Sequence, residues 1–295
     1  MSSSGEEGVA ARSAIVMVID DHYVLPLAAL LKSIAQSWQG TGTPHVVLLS
    51  FSLAGASIQF LQRCARATGV DLEHRAVVST AFDSLPSDHL TQATYGRLAI
   101  PDCCPDLDRA VYLDADTIVF RSLHELLELE IGPWPMAAVQ DVINPRLGSP
   151  LCLPGLTLAP PDLAKPYFNC GLLVMDLRRW RSERLCAQVL SFARGNARHL
   201  RFHDQDAMNA VLAGRWLALD RRWNVPAVAE LLDDSTVRRD GIELAVETLL
   251  DLEDDPWILH YTGIKPWWGA FPPGRNRDRF ARFLSLRQRG GRPPR

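Results

Sequence analysis

The sequence predicts an α/β layered fold with a central, mostly parallel sheet flanked by helices, and three observations carry that prediction. Short apolar runs of strand length alternate with segments of helical spacing. The runs are apolar throughout rather than every second residue, as strands buried on both faces require. Acidic residues follow several runs directly, at the edge where sheets of this kind bind ligands.

Taken in order, the strand-like runs are Ile15 to Ile19, Val46 to Phe51, Ala110 to Leu113, Met136 to Val139 and Leu172 to Met175. Helical spacing separates them, most plainly over Leu25 to Trp38 and Ile58 to Thr68. Asp20, Asp21, Asp114, Asp116 and Asp141 stand at the strand ends and are the first candidates for a site. Residues 144–166 are rich in Pro and Gly and predict a long loop placed to cover an acceptor. Residues 231–256 carry an acidic end and one further helix, with no chemistry assigned to them.

With 295 residues, 47% of them hydrophobic, the chain can bury one large core, so a single domain is expected over 13–285. Residues 1–12 lack periodicity and read as a flexible leader, and 286–295 as a basic tail. A net charge of -3 gives no global field for nucleic acid. No signal-peptide layout and no apolar stretch of about 18 residues is present, so a cytoplasmic protein is expected. Near the C-terminus, Phe280, Phe283 and Leu284 are mixed with many arginines. That segment reads as a helix docked on the core, or as a peripheral contact with an anionic inner membrane face. Six cysteines without CxxC spacing read as reduced thiols.

Two motifs carry most of the chemistry. In VYLDADTIVF a strand ends at Leu113 and presents Asp114 and Asp116 on one face, with Ala115 turned away. Two such carboxylates can jointly bind a divalent cation, which in turn neutralises a diphosphate. In WILHYTGIKPWW a second strand delivers His260 to the same kind of edge, followed by Gly263 and Lys265. A neutral imidazole can complete the coordination of a manganese-type ion, the glycine admits a phosphate and the lysine offers it a positive charge.

With these motifs and three further segments in the same order, the chain resembles the retaining glycosyltransferases of family 8, which include glycogenin and the bacterial lipooligosaccharide galactosyltransferases. The resemblance implies a GT-A type, Rossmann-like nucleotide-sugar-binding fold. It implies Mn2+ or Mg2+ held by Asp114, Asp116 and His260, and a UDP-sugar as donor, with a glycan, lipid-linked sugar or small metabolite as acceptor. VIDDHYVLPLAALLKSI resembles the element that holds uracil and ribose, which points to Asp20, Asp21 and Tyr23. HLTQATYGRLAIPD is similar to the segment whose arginine lies beside the donor, here Arg97, with His89 matching an acceptor-facing position. The FNxG pattern places Asn169 and Gly171 at the donor sugar, together with Asp141. FHDQDAMNAVLAG assigns Asp204 to the transferred sugar and Gln205 to the reacting face of its anomeric carbon, with Asp206 as a helix cap or support. Ala115 falls within the same donor site.

One departure stands out. The family pattern has two residues between the glycine and the lysine of HxxGxxKPW, whereas only Ile264 separates Gly263 from Lys265, a spacing that sets the lysine's reach to a diphosphate apart from the family pattern. Readings from other classes are a haloacid dehalogenase-type phosphatase, suggested by LDADTI, and a non-catalytic nucleotide-sugar-binding protein. A P-loop ATPase is disfavoured because no GxxxxGK[ST] cradle occurs.

Overall fold

The structure, a computed structural model, describes residues 12–78, 82, 92–232 and 246–284. The leader up to residue 11, the basic tail and His89 lie outside the described residues. β1 (Ser13–Val18), β2 (His45–Ser50), β3 (Asp71–Ala76) and β4 (Arg109–Leu113) run parallel to one another. β7 (Phe168–Asp176) is antiparallel to both β4 and β6 (Met136–Gln140), and β8 (Leu217–Ala218) lies parallel to β6. The sheet order is β3-β2-β1-β4-β7-β6-β8. The sheet is mostly parallel, as predicted, with its antiparallel pairings confined to β7. A second, three-stranded sheet joins β5 (Thr117–Val119), β10 (Ile258–His260) and β9 (Val225–Pro226), in the order β5-β10-β9.

Strand alternation divides the core into two layers. Ile15 and Met17 of β1 point to one face with Leu48, Val111 and Val174, where α1 (Val24–Ser37) and α2 (Gly55–Thr68) cover them. α1 buries Leu27, Leu30, Leu31 and Ile34, the spacing of one helical face. Ala14, Val16 and Val18 point to the other face, with Tyr112, Leu173 and Trp180.

Residues 144–166 do not form a free flap. Leu147, Cys152 and Leu153 are buried in the core, and Arg146 bridges Pro166, so only a few residues of the loop face a cavity. At the C-terminal end, the helix Arg275–Leu284 buries Phe280 and Phe283 against Tyr261, Phe271 and Ala29. Its last turn is tied to α1, where Lys32 Nζ donates to Arg282 O (3.2 Å). The two phenylalanines are thus committed to the core, as the docked-helix reading expects. Among the described residues no helix is long and apolar enough to cross a membrane.

Candidate active site

The carboxyl ends of β1, β4 and β10 bring Asp20, Asp114, Asp116 and His260 to one edge, where two cavities meet. One, of about 520 Å³, is lined by Asp20, Tyr23, Thr94, Ala115, Trp267 and Trp268. The other, of about 700 Å³, is lined by Asp141, Asn169, Asp204, Gln205, His260 and Gly263, among others. Arg97, Asp114 and Asp116 border both cavities.

A bulge shapes this junction. β6 pairs Ala138 with Leu173 but Val139 with Asn169, so residues 170–172 bow out of that ladder toward β4. There Gly171 O accepts from Asp114 N (2.9 Å), and Cys170 O accepts from the Arg97 guanidinium. Gly171 acts through what it lacks: a Cβ at that position would lie 2.2 Å from His260 Cε1, so only glycine leaves room for the imidazole.

Asp114, Asp116 and His260 each offer one ligand atom, all within 4.8 Å of one another. His260 Nε2 is 3.3 Å from Asp116 Oδ1 and 3.7 Å from Asp114 Oδ2. A chain of hydrogen bonds fixes the state of the ring. Gly171 N–H, which can only donate, reaches Asn169 Oδ1 (2.8 Å). That oxygen also accepts from Asn224 Nδ2 (2.9 Å), which turns Asn224 Oδ1 toward His260 Nδ1 (2.9 Å). Nδ1 therefore carries a proton, and Nε2 is the ring atom that faces the two carboxylates. Three electron-rich groups turned toward one point are a donor set suited to a divalent cation.

Burial pushes the Asp116 carboxyl up, but Lys265 and His260 outweigh it and hold the group well below the usual carboxylate range. Lys265 is itself buried. Its Nζ donates to Asp116 Oδ2 and to Tyr261 O (2.8 Å) rather than facing open cavity. Gly263, with φ +72°, provides the left-handed turn between His260 and this lysine.

Arg97 is the hinge between the cavities. It pairs with Asp114 Oδ1 (3.2 Å) and, through Nε, with Asp204 Oδ2 (2.8 Å). Tyr112 OH donates to the same Asp114 oxygen. Asp204 opens the helix Asp204–Val211, directly after His203 in a positive-φ conformation (φ 47°). Burial pushes its carboxyl up to about 6, against the lowering pull of Arg97. Gln205 Oε1 accepts from Cys170 N (2.9 Å). Asp206 is a support: it accepts from Tyr167 OH and from Phe202 N, each at 2.8 Å.

Asp141 borders the larger cavity and is also a turn residue, since Oδ1 accepts from Ile143 N (2.9 Å) and Asn144 N (2.7 Å). Its other oxygen accepts from Asn169 Nδ2 (2.9 Å), and burial pushes the carboxyl up. Asp21 lines neither cavity. It turns away from both cavities to accept from Ser57 Oγ (2.6 Å) and Ala54 N (3.3 Å) at the start of α2, because the orphan N–H groups of a helix start attract a carboxylate. Of the adjacent acids, Asp20 is the one that lines a cavity, beside Tyr23, whose hydroxyl is pushed up by burial.

Asn224, Tyr112, Thr94, Trp267 and Trp268 were not expected from sequence. Asn224 ends the short 3-10 turn Arg221–Asn224 just before a two-residue strand, and both are too short for any periodic signal. Trp267 and Trp268 lie in the quoted WILHYTGIKPWW segment, and an aromatic pair after a phosphate-type turn is the signal that would have found them.

The fold resembles that of the galactosyltransferase LgtC in complex with donor and acceptor sugar analogs, with a TM-score of 0.71 and 22% identity over 92% of this chain and 95% of that one. The class is therefore a GT-A fold. Residues 14–269 match the model of glycosyl transferase family 8, and the chain belongs to that family of glycosyltransferases. Among its relatives, general stress protein A of Bacillus subtilis (strain 168) is 27% identical over 278 residues, 92% of each chain. The lipopolysaccharide 1,2-glucosyltransferase of Escherichia coli (strain K12) is 32% identical over 171 residues, covering 56% of this chain and 46% of that one. Against the Streptococcus pneumoniae glycosyltransferase GlyB, 32% identical, the match spans only 40% of the relative's length.

Proposed function

We propose that this chain is a retaining hexosyltransferase that moves galactose or glucose from a UDP-sugar to a hydroxyl acceptor, with Mn2+ or Mg2+ seated by Asp114, Asp116 and His260. One observation carries the reading: both cavities open onto the same acid pair. A diphosphate at that pair directs the nucleoside into the aromatic cavity and the hexose into the polar one. A cation bound there supplies the charge that offsets the departing diphosphate.

The chain's own residues do the rest. Tyr23 and Trp267 offer ring surfaces to a base, and Asp20 accepts from ribose hydroxyls. Arg97 pairs with both Asp114 and Asp204 and sets them side by side, and Asp204 accepts from a sugar hydroxyl. Asn169 has one N–H left after its bond to Asp141 and directs it at the sugar. During transfer the bond from the anomeric carbon to the diphosphate oxygen breaks, with its electron pair leaving on UDP. The acceptor oxygen bonds the same face, and its proton passes to a phosphate oxygen of the leaving UDP. Gln205, an amide and thus a poor nucleophile, stabilises the developing positive charge beside the anomeric carbon. Val142, Ile143, Leu151 and Phe202, on the remaining wall of the larger cavity, face the acceptor.

The sugars named for two relatives, the lipopolysaccharide 1,2-glucosyltransferase and 1,3-galactosyltransferase, support glucose and galactose as the donors to try first. The test is UDP release from UDP-glucose and UDP-galactose with and without Mn2+, followed by the anomeric proton coupling of the product. Turnover that is abolished by chelator and restored by Mn2+, with the donor's configuration kept, is the expected result. UDP binding without release from any donor would leave a binding protein, and an inverted product would remove the same-face transfer.

A further inference from the structure

We propose that Lys265 is a built-in counter-ion: in the metal-free protein its ammonium neutralises Asp116 in the cation seat, and cation binding moves it from there onto the donor's diphosphate. The inference rests on the metal site proposed above and on the diphosphate contact that the family resemblance implies for Lys265.

Three observations carry it. First, Lys265 Nζ donates to Asp116 Oδ2 while His260 Nε2 approaches Oδ1 of the same carboxylate, so the lysine takes one oxygen of a ligand in the three-residue donor set. Second, both partners are buried, Lys265 at 8% and Asp116 at 6% exposure. A buried carboxylate beside a second acid is costly without positive charge, and the Lys265 ammonium donates to it directly. Third, the ammonium is steered there by backbone: Tyr261 O accepts from Nζ (2.8 Å), and Tyr261 N donates to Asp116 O (2.9 Å), so lysine and aspartate are anchored to the same residue. Arg97 cannot serve instead, since its contacts go to Asp114, Asp204 and Cys170.

Two positive charges cannot share Asp116 in a buried setting, so an arriving divalent ion displaces the ammonium. Lys265 also borders the larger cavity, and its four-carbon stem lets the freed head group reach a phosphate at the acid pair. Cation and nucleotide then reinforce each other: the ion releases the lysine, and the diphosphate accepts it. By linkage, each tightens the binding of the other by the same factor.

The experiment is Mn2+ titration of the full chain, by calorimetry or by the electron paramagnetic resonance of free Mn2+, without and with UDP. Lys265→Met is expected to bind Mn2+ on the order of tenfold more tightly than the unmodified protein when UDP is absent. Lys265→Gln, which keeps a donor for Tyr261 O but loses the charge, should show the same gain, and Lys265→Arg should show none. UDP should tighten Mn2+ binding by a larger factor in the unmodified protein than in Lys265→Met. Equal Mn2+ affinity in all four proteins overturns the counter-ion role while leaving the metal site intact. Equal UDP factors overturn the transfer of the lysine to the diphosphate. If none of the four proteins binds Mn2+, the proposed metal site is overturned, and the counter-ion with it.

Discussion

The two cavities that share Arg97, Asp114 and Asp116 differ in the side chains that line them. The smaller one rests on the parallel strands β1 and β4 and is walled by Tyr23, Trp267 and Trp268, with Asp20 and the shared acid pair as its carboxylates. The larger one rests on the antiparallel, bulged part of the sheet, where Asp141, Asn169, Asn224 and His260 form a continuous hydrogen-bonded chain. Regular strands supply a surface on which a planar group can lie, whereas the break in regularity at residues 170–172 aims polar groups at a point. The smaller cavity should accordingly govern donor affinity and the larger one turnover.

The largest effect is expected at the shared boundary. Asp116→Asn should lower Mn2+-dependent UDP release by about 10²- to 10³-fold, as loss of a charge-stabilising group typically does; near-normal release would dissolve the junction on which the comparison depends. Next comes Asn224→Ala, which frees the His260 ring to take the other tautomer. Mn2+ affinity measured by titration should fall about 10- to 100-fold, and an unchanged affinity would show that the ring is oriented by other means.

A pH profile sharpens the polar side further. With the Asp204 carboxyl pushed up to about 6, kcat/KM should fall as pH drops through that value, and Asp204→Asn should lack this limb at its lower level of activity. The stability sign is opposite. The folded state holds the proton more tightly than the unfolded chain, so the contribution is full below the ordinary value of 3.8 and is lost as pH rises through about 6, which denaturant melts at pH 4 and 7 would resolve. The smallest effect is that of Tyr23→Leu, for which loss of an aromatic contact worth about 1 kcal/mol should raise the donor KM roughly fivefold with kcat unchanged. A matching fall in kcat would mean that the two cavities do not act separately.

Much of this arrangement was legible in the sequence because burial on both faces leaves a mark. β1, β2 and β4 are unbroken apolar runs, and the acids that end two of them stand where ligands gather. β3 was not legible: DLEHRA is polar because it is an edge strand, and charged residues such as Asp71, Glu73 and Arg75 protect such edges. β7 begins at Phe168, four residues ahead of its apolar run, since Asn169 belongs to a bulge whose hydrogen bonds go to side chains. The choice between Asp20 and Asp21 depended on the path of α2, which is a tertiary fact. Arg97, Asp204, Gln205 and the Asp114, Asp116, His260 triad were all named from motifs, and the structure gathers them around the two cavities. Asn224 shows the opposite limit, for an amide that orients a ligand leaves no pattern along the chain.

The clearance over residue 171 gives the seat a vulnerability that an inventory of ligands would overlook. Adding one methyl group there leaves both aspartates and the histidine in the chain, yet the ring has to swing aside. Such a protein would still accept a nucleotide through its aromatic wall while losing its grip on the ion. Whether a homologue of this chain is competent thus depends on empty space as well as on the three side chains that surround it.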